Sequence, residues 1–174
     1  METNPVIEGE INFDSFKNFS RLIILDSPKN TAALLKMRMY FRKVLGQLFL
    51  DKLASTFLLE QNDLYLSVKG ETSYAKKIIE GISQSIEYKI FRFYTRLGFF
   101  VMEDSLFGSL FALYESFPSE NDKVHATALV FFGLSNFSLV NRNAVILKKR
   151  CLVVHEAKDG QLVEFEIERC RKAD

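Results

Sequence analysis

Tryptophan is absent from this 174-residue chain, histidine and cysteine occur twice each, and the formal net charge is only +1. Each scarcity closes off a class of protein. Two cysteines, Cys151 and Cys170, are too few for the disulfide framework of a small secreted domain, so reduced thiols inside a cell are the expected state. With two histidines and no CxxC pair, a zinc site has too few ligands to draw on, and neither a metal nor a cofactor is expected. A near-neutral balance means that bulk electrostatics announce no nucleic-acid binder; any RNA contact would come from a local patch. No apolar run approaches the ~18 residues of a membrane span. The start, Met1-Glu2-Thr3-Asn4-Pro5, lacks the basic and apolar regions of a signal peptide. Walker loops, dinucleotide fingerprints and Ser-centred nucleophile elbows are missing too. So is the acidic residue followed by Glu-x-Lys that a metal-dependent nuclease of restriction-enzyme type would need. These absences predict a soluble intracellular protein with no membrane partner.

What is present is enough apolar material for a core, 48% of residues including seventeen phenylalanines. Disorder is therefore not the class, and the length suits one large domain or two small ones. The patterning predicts an α/β (α+β) protein. Arg21–Asp26 reads as a strand ending in a turn at Ser27-Pro28, and Asn30–Leu59 as two helices interrupted only at Gly46, the second closing on Leu53, Phe57 and Leu58. Asp63–Val68 alternates like a strand, and Lys69-Gly70 turns the chain. A small N-terminal α/β module over residues 1–72 is the expectation.

From Ser73 to Leu97 the apolar residues return to three- and four-residue spacings, which predicts helix, and Gly98 suits the left-handed position that ends one. Strand signals follow at Phe99–Met102, Ser109–Tyr114 and His125–Phe132, with a helix expected within Asn136–Lys149. The last segment reads as a hairpin: Val163, Phe165 and Ile167 face one way, Glu164, Glu166 and Glu168 the other, with Asp159-Gly160 at the turn. Residues 73–174 thus form a second unit. No repeat or glycine- or serine-rich linker separates it from the first.

Three residues in that second unit could carry chemistry together: Tyr114 at a strand end, His125 before an apolar strand, and Lys149 after a helix. Taken singly, each type in such a place is more often structural than catalytic, and Lys148-Lys149-Arg150 could simply complement a helix dipole. Together, a phenol, an imidazole and an ammonium can cleave RNA without a metal. One group takes the 2′-OH proton, one protonates the leaving 5′-oxygen, and one stabilises the charged phosphorane.

The phrases around them resemble the catalytic domain of the tRNA splicing endonucleases (tRNA-intron endonucleases). Phe93-Tyr94-Thr95-Arg96-Leu97-Gly98-Phe99-Phe100-Val101 is similar to the helix-ending phrase of that family, and Leu106-Phe107-Gly108-Ser109-Leu110-Phe111-Ala112-Leu113-Tyr114 to its Lys-Phe-Gly-x-x-Phe-x-x-Tyr phrase. His125-Ala126 through Val130 matches the histidine phrase, and Arg142, Ala144, Lys148 and Lys149 match the Arg-x-Ala-x-x-x-[Lys/Arg]-Lys phrase before an apolar strand. The likeness covers roughly residues 85 to 168. It departs at Leu106, where the family has Lys, and at Glu115-Ser116-Phe117-Pro118, where the family usually carries Pro-Gly-Asp. The stretch between His125 and Lys149 is also a few residues short.

The resemblance implies a C-terminal restriction-endonuclease-like nuclease domain, with a mixed sheet and flanking helices; the lack of a linker predicts that the N-terminal module packs on it. It implies that Tyr114 is the general base, that His125 donates to the leaving oxygen and that Lys149 stabilises charge. An unperturbed tyrosine ionises near pH ~10, so a neighbouring ammonium would help by favouring the phenolate. It further implies precursor tRNA as substrate, cut at bulge-helix-bulge splice sites to 2′,3′-cyclic phosphate and 5′-OH ends. Arg142 would stack on a bulged base, with Lys148 and Arg150 beside it on the RNA. A partner subunit, in a homo- or heterotetramer, would pair along Leu162, Val163, Phe165 and Ile167 and receive an acidic loop, for which Glu156 and Asp159 are the candidates. The size suggests an archaeal type acting in the cytoplasm; a eukaryotic one would act in the nucleus. A structural subunit of the same assembly, or an RNA-binding module without nuclease activity, stay open as alternatives.

Overall fold

The structure, a computed structural model, describes residues 7–8, 21–62, 72–104, 106–119, 125–133 and 137–167. It is a mixed α/β protein in two compact units, Met1–Thr95 and Arg96–Asp174. The division between these units falls near the end of a helix, at Thr95/Arg96. The strand expected over Asp63–Val68 and the turn at Lys69-Gly70 lie outside the described residues.

In the first unit, β1 (Ile23–Leu25), β2 (Arg42–Val44) and β3 (Gln47–Phe49) form an antiparallel sheet in the order β1-β3-β2. Between β1 and β2 lies α1 (Pro28–Lys36). Ser27-Pro28, read as a turn, is the start of this helix. Ser27 is the N-cap, its hydroxyl accepting the Asn30 N–H at 3.1 Å, and Pro28 takes the first helical position, where its missing donor costs nothing. Asn30 is fully buried and staples the chain to itself: its amide donates to the Glu8 and Leu25 carbonyls at 2.9 Å each and accepts from the Glu8 N–H at 2.7 Å.

The expectation of helix through residues 42–49 is corrected by the β2–β3 hairpin. Its two-residue loop, Leu45-Gly46, has both residues at positive φ (48° and 76°), the arrangement of a type I′ turn. Local helix propensity is overridden because Leu48 and Leu50 bury on a two-residue period, which a helix cannot match.

Next come α2 (Lys52–Asn62), α3 (Thr72–Ser83) and α4 (Ile86–Arg96). The Asp51 carboxylate caps α2 by accepting the Ala54 N–H at 3.0 Å. Continuous helix from Ser73 to Leu97 is also corrected: the chain breaks at Gln84-Ser85. The Ser85 hydroxyl donates to the Ile82 carbonyl (2.7 Å) and accepts the Tyr88 N–H (3.2 Å), ending one helix and capping the next. Tyr88, Ile90, Phe91 and Tyr94 form the buried face of α4. Gly98 has φ 97°, as its place after a helix end predicts.

The second unit is built on a five-stranded mixed sheet: β4 (Phe100–Glu103), β5 (Phe111–Tyr114), β6 (Ala128–Phe132), β7 (Cys151–Glu156) and β8 (Leu162–Ile167), in that spatial order. Every neighbouring pair is antiparallel except β6 and β7, which run parallel and are joined through α5 (Phe137–Val145). The parallel pair needs a crossover, and the helix supplies it. The central strands are nearly all buried, with Leu113, Leu129, Val130 and Val154 wholly so, whereas β8 is an edge strand with no buried residue. The hairpin between β7 and β8 matches its sequence signal: Lys158-Asp159-Gly160 make the loop, Gly160 has φ 81°, and the Ala157 N–H bonds to the Gln161 carbonyl at 2.8 Å. No helix among the described residues is long and apolar enough to cross a membrane.

Candidate functional site

Strand direction decides where the chemistry-bearing residues fall. β5 runs antiparallel to β6, and β7 runs parallel to β6. The C-terminal end of β5 and the N-terminal ends of β6 and β7 therefore share one end of the sheet. Tyr114 is the last residue of β5, His125 stands three residues before β6, and Lys149 two before β7. All three come to the same end of three adjacent strands, which at ~4.8 Å per strand spans about 10 Å.

The ladder is irregular at that end. Ala128 is the register partner of Leu113, yet Thr127 also donates its N–H to the Leu113 carbonyl at 2.7 Å, so two residues oppose one as in a β-bulge. Bulges re-aim side chains, and this one lies two residues after His125. Tyr114 is 7% exposed, its strand paired with Phe100 of β4, whereas His125 is open to solvent.

Lys149 is held on two sides. Its N–H donates to the Asn143 carbonyl at 3.0 Å, and its ammonium lies over the Phe107 ring, 5.1 Å from the centroid. Lys148, just before it, has φ 53°. A lysine in the left-handed region costs about 1 kcal/mol or more, so the turn that delivers Lys149 to the strand end stores strain.

Phe107 is held by a loop wound around one carboxylate. Asp104 accepts the N–H groups of Leu106 (2.8 Å), Phe107 and Ser109 (3.2 Å each) and the Ser109 hydroxyl (2.5 Å). Within it Gly108 has φ 72°, the left-handed conformation that favours glycine; a Cβ there would sit 2.9 Å from Leu139 Cδ2 on α5, the movable end of that side chain. Asn143, 1% exposed, clamps loop to helix by donating to the Phe107 and Leu139 carbonyls at 3.0 Å each. Sequence reasoning assigned no role to Asp104 and Asn143. An Asp preceding Gly108-Ser109 does carry an Asx-turn signal; nothing in the pattern marks Asn143.

The other expected residues separate. Arg142, on α5, and Lys148 are exposed. Arg150 turns to the β8 edge and grips Glu166 with both prongs, Nε to Oε1 at 2.7 Å and Nη2 to Oε2 at 3.1 Å. This pairing holds the Glu166 carboxyl below the usual carboxylate range and engages a guanidinium expected to contact RNA. Leu162, Val163, Phe165 and Ile167 all lie on the edge strand, with Phe165 53% exposed and stacked parallel to His155 at 5.6 Å. Glu156 ends β7, and the Asp159 carboxylate is turned inward to the Gln161 N–H at 3.1 Å. Cys151, buried at the start of β7, has its thiol pushed up to about 11 by loss of solvation. Among the described residues, no three His, Cys, Asp or Glu side chains are arranged to hold a metal ion.

No protein-family model matches the chain, and no curated protein matches it.

Proposed function

We propose that this chain is a catalytic-type subunit of a tRNA splicing endonuclease, with its C-terminal unit a restriction-endonuclease-like nuclease domain. The supporting observation is the convergence of Tyr114, His125 and Lys149 on one end of β5, β6 and β7. In this reading Tyr114 removes the 2′-OH proton. The resulting alkoxide attacks the adjacent phosphorus, Lys149 stabilises the phosphorane, and His125 protonates the departing 5′-oxygen. The products are a 2′,3′-cyclic phosphate and a 5′-OH. Arg142 and Lys148 extend the RNA contact along the α5 side, and β8 offers its open edge to a second subunit, of this chain or another. Its place of action is that of precursor tRNA, the cytoplasm in an archaeon and the nucleus in a eukaryote.

The test is cleavage of an end-labelled bulge-helix-bulge precursor tRNA in EDTA. The expected result is cutting at both bulges with cyclic-phosphate ends, reduced by about 10²-fold or more in Tyr114→Phe, His125→Ala and Lys149→Ala while RNA affinity persists. Equal cutting by wild type and all three variants sinks the reading. A second reading, a structural subunit of the same assembly with idle chemistry, draws on the burial of Tyr114, since a general base must meet its substrate. It predicts that adding a partner subunit restores cleavage irrespective of Tyr114.

A further inference from the structure

The segment Ser27–Leu50 holds five cations, Lys29, Lys36, Arg38, Arg42 and Lys43, and not one acidic residue, in a chain whose total charge is only +1. All five are exposed. Lys29 pairs with Glu8 at 2.6 Å and Lys43 with Asp26 at 3.5 Å, while Lys36 and Arg42 have no ion-pair partner among the described residues. The positive field is therefore concentrated on the three-stranded sheet and the helix beside it.

Register shows what lies between these charges. Ile24, Leu48 and Lys43 share one row, and Ile24 and Leu48 are wholly buried on the inner face. The two flanking rows, Ile23-Phe49-Arg42 and Leu25-Gln47-Val44, point the other way. That outer face carries four apolar side chains, one of them aromatic, together with Arg42; Leu25 is 53% and Val44 48% exposed. At its tip Leu45 is 98% exposed with φ 48°. A type I′ turn prefers Asn, Asp or Gly at that position. Leucine there is disfavoured in backbone conformation and in solvation alike, and nothing among the described residues covers it.

We propose that this outer face of β1-β3-β2 is a binding surface for unpaired RNA: bases lie on Phe49, Leu25 and Val44, Leu45 wedges against a base, and Arg42 takes a phosphate. Base faces suit an apolar and aromatic platform, and counterion release from the backbone rewards acid-free cations. The proposal deepens the endonuclease reading by giving the first unit a role in holding single-stranded or bulged RNA, and it rests on that reading for RNA as the partner.

The experiment is fluorescence anisotropy of the full chain with a fluorescein-labelled mixed-sequence single-stranded RNA, titrated at several salt concentrations. Arg42→Gln is expected to weaken binding several-fold and to reduce the slope of log affinity against log salt by about 1, for the phosphate that no longer meets a cation. Leu45→Asn creates a preferred Asn-Gly turn, so it is expected to raise the unfolding midpoint while lowering RNA affinity. A fall in affinity in a more stable variant is not a folding failure. Unchanged affinity and salt slope in both variants overturns the proposal and leaves the face to an acidic protein. The endonuclease reading fails separately: if no RNA is cut but binding still depends on Arg42 and Leu45, this surface stands without it.

Discussion

The ammonium of Lys149 lies 5.1 Å from the centroid of the Phe107 ring, and the backbones of the same two residues meet through Asn143. Asn143 donates to the Phe107 carbonyl at 3.0 Å and accepts the Lys149 N–H at 3.0 Å. Side chain and main chain of Lys149 are thus fixed by one closed circuit across the loop and the helix. A cation over an aromatic face gains about 0.5–1 kcal/mol when partly exposed, enough to bias where a mobile four-carbon stem rests.

Phe107→Leu keeps the apolar volume and removes the π face. On the proposed endonuclease reading, single-turnover cleavage is expected to drop by roughly two- to fivefold, the kinetic equivalent of that energy, with RNA affinity unchanged. An unaltered rate would show that the ring does not position Lys149.

Gly108→Ala tests the loop itself. The added Cβ would stand 2.9 Å from Leu139 Cδ2, in a left-handed backbone. Urea denaturation is expected to show a destabilisation of about 1–2 kcal/mol, chiefly from the left-handed backbone. Gly98→Ala serves as comparison: it shares the positive φ but meets no atom within 4 Å, so any excess loss at Gly108 reports the cost of moving Leu139 Cδ2.

Arg150 and Glu166 give the β7–β8 hairpin a pH dependence. The hydrogen bond from Arg150 is the first cause of the lowered Glu166 pKa, ahead of opposing desolvation and the charge of Arg150. A depressed carboxyl stabilises the fold above its unfolded value, near ~4.3, and loses that contribution as pH falls through the folded value. Both side chains are nearly half exposed, so the contribution is at most about 0.5 kcal/mol. Unfolding midpoints of wild type and Glu166→Gln, measured from pH 6 downward, are expected to differ at pH 6 and to converge in acid; a constant gap refutes the linkage.

Cys151 is expected to be inert. With its thiol at about 11, only about one part in 10³ is thiolate at pH 8, and the side chain is buried. Iodoacetamide at pH 8 followed by peptide mass spectrometry is expected to find Cys151 unmodified in the native chain and modified in urea. The raised pKa also means that stability is complete below the unfolded thiol value and declines as pH climbs through about 11.

The second unit was the more legible half. Its strands, its helix and the closing hairpin follow from two-residue alternation, from Gly98 and from Asp159-Gly160, signals that act over a few residues. Tyr114, His125 and Lys149 were visible as types in order, and Arg150 as one more cation. Elsewhere short-range signals misled. The β2–β3 hairpin was hidden in good helix formers because Leu45-Gly46 is not a preferred turn pair, and a single serine, Ser85, was enough to break a helix that the isoleucine spacing carries through. In both places the competing energies are about 1 kcal/mol per residue, and tertiary burial outweighs them.

By itself the sequence determined which residue types exist, in what order, and which short segments alternate or repeat at helical period, because these depend only on side-chain size, polarity and backbone freedom. Strand order and direction were left to the tertiary structure. The parallel step between β6 and β7 turns the order of Tyr114, His125 and Lys149 along the chain into neighbourhood at one end of the sheet. It also gave Arg150 to Glu166 rather than to a ligand, and tied Asp104, Phe107 and Asn143 into the support of Lys149. Contacts across 36 residues, such as Asn143 to Phe107, are chosen by how whole elements pack and bury their polar groups together, and no local pattern records that choice.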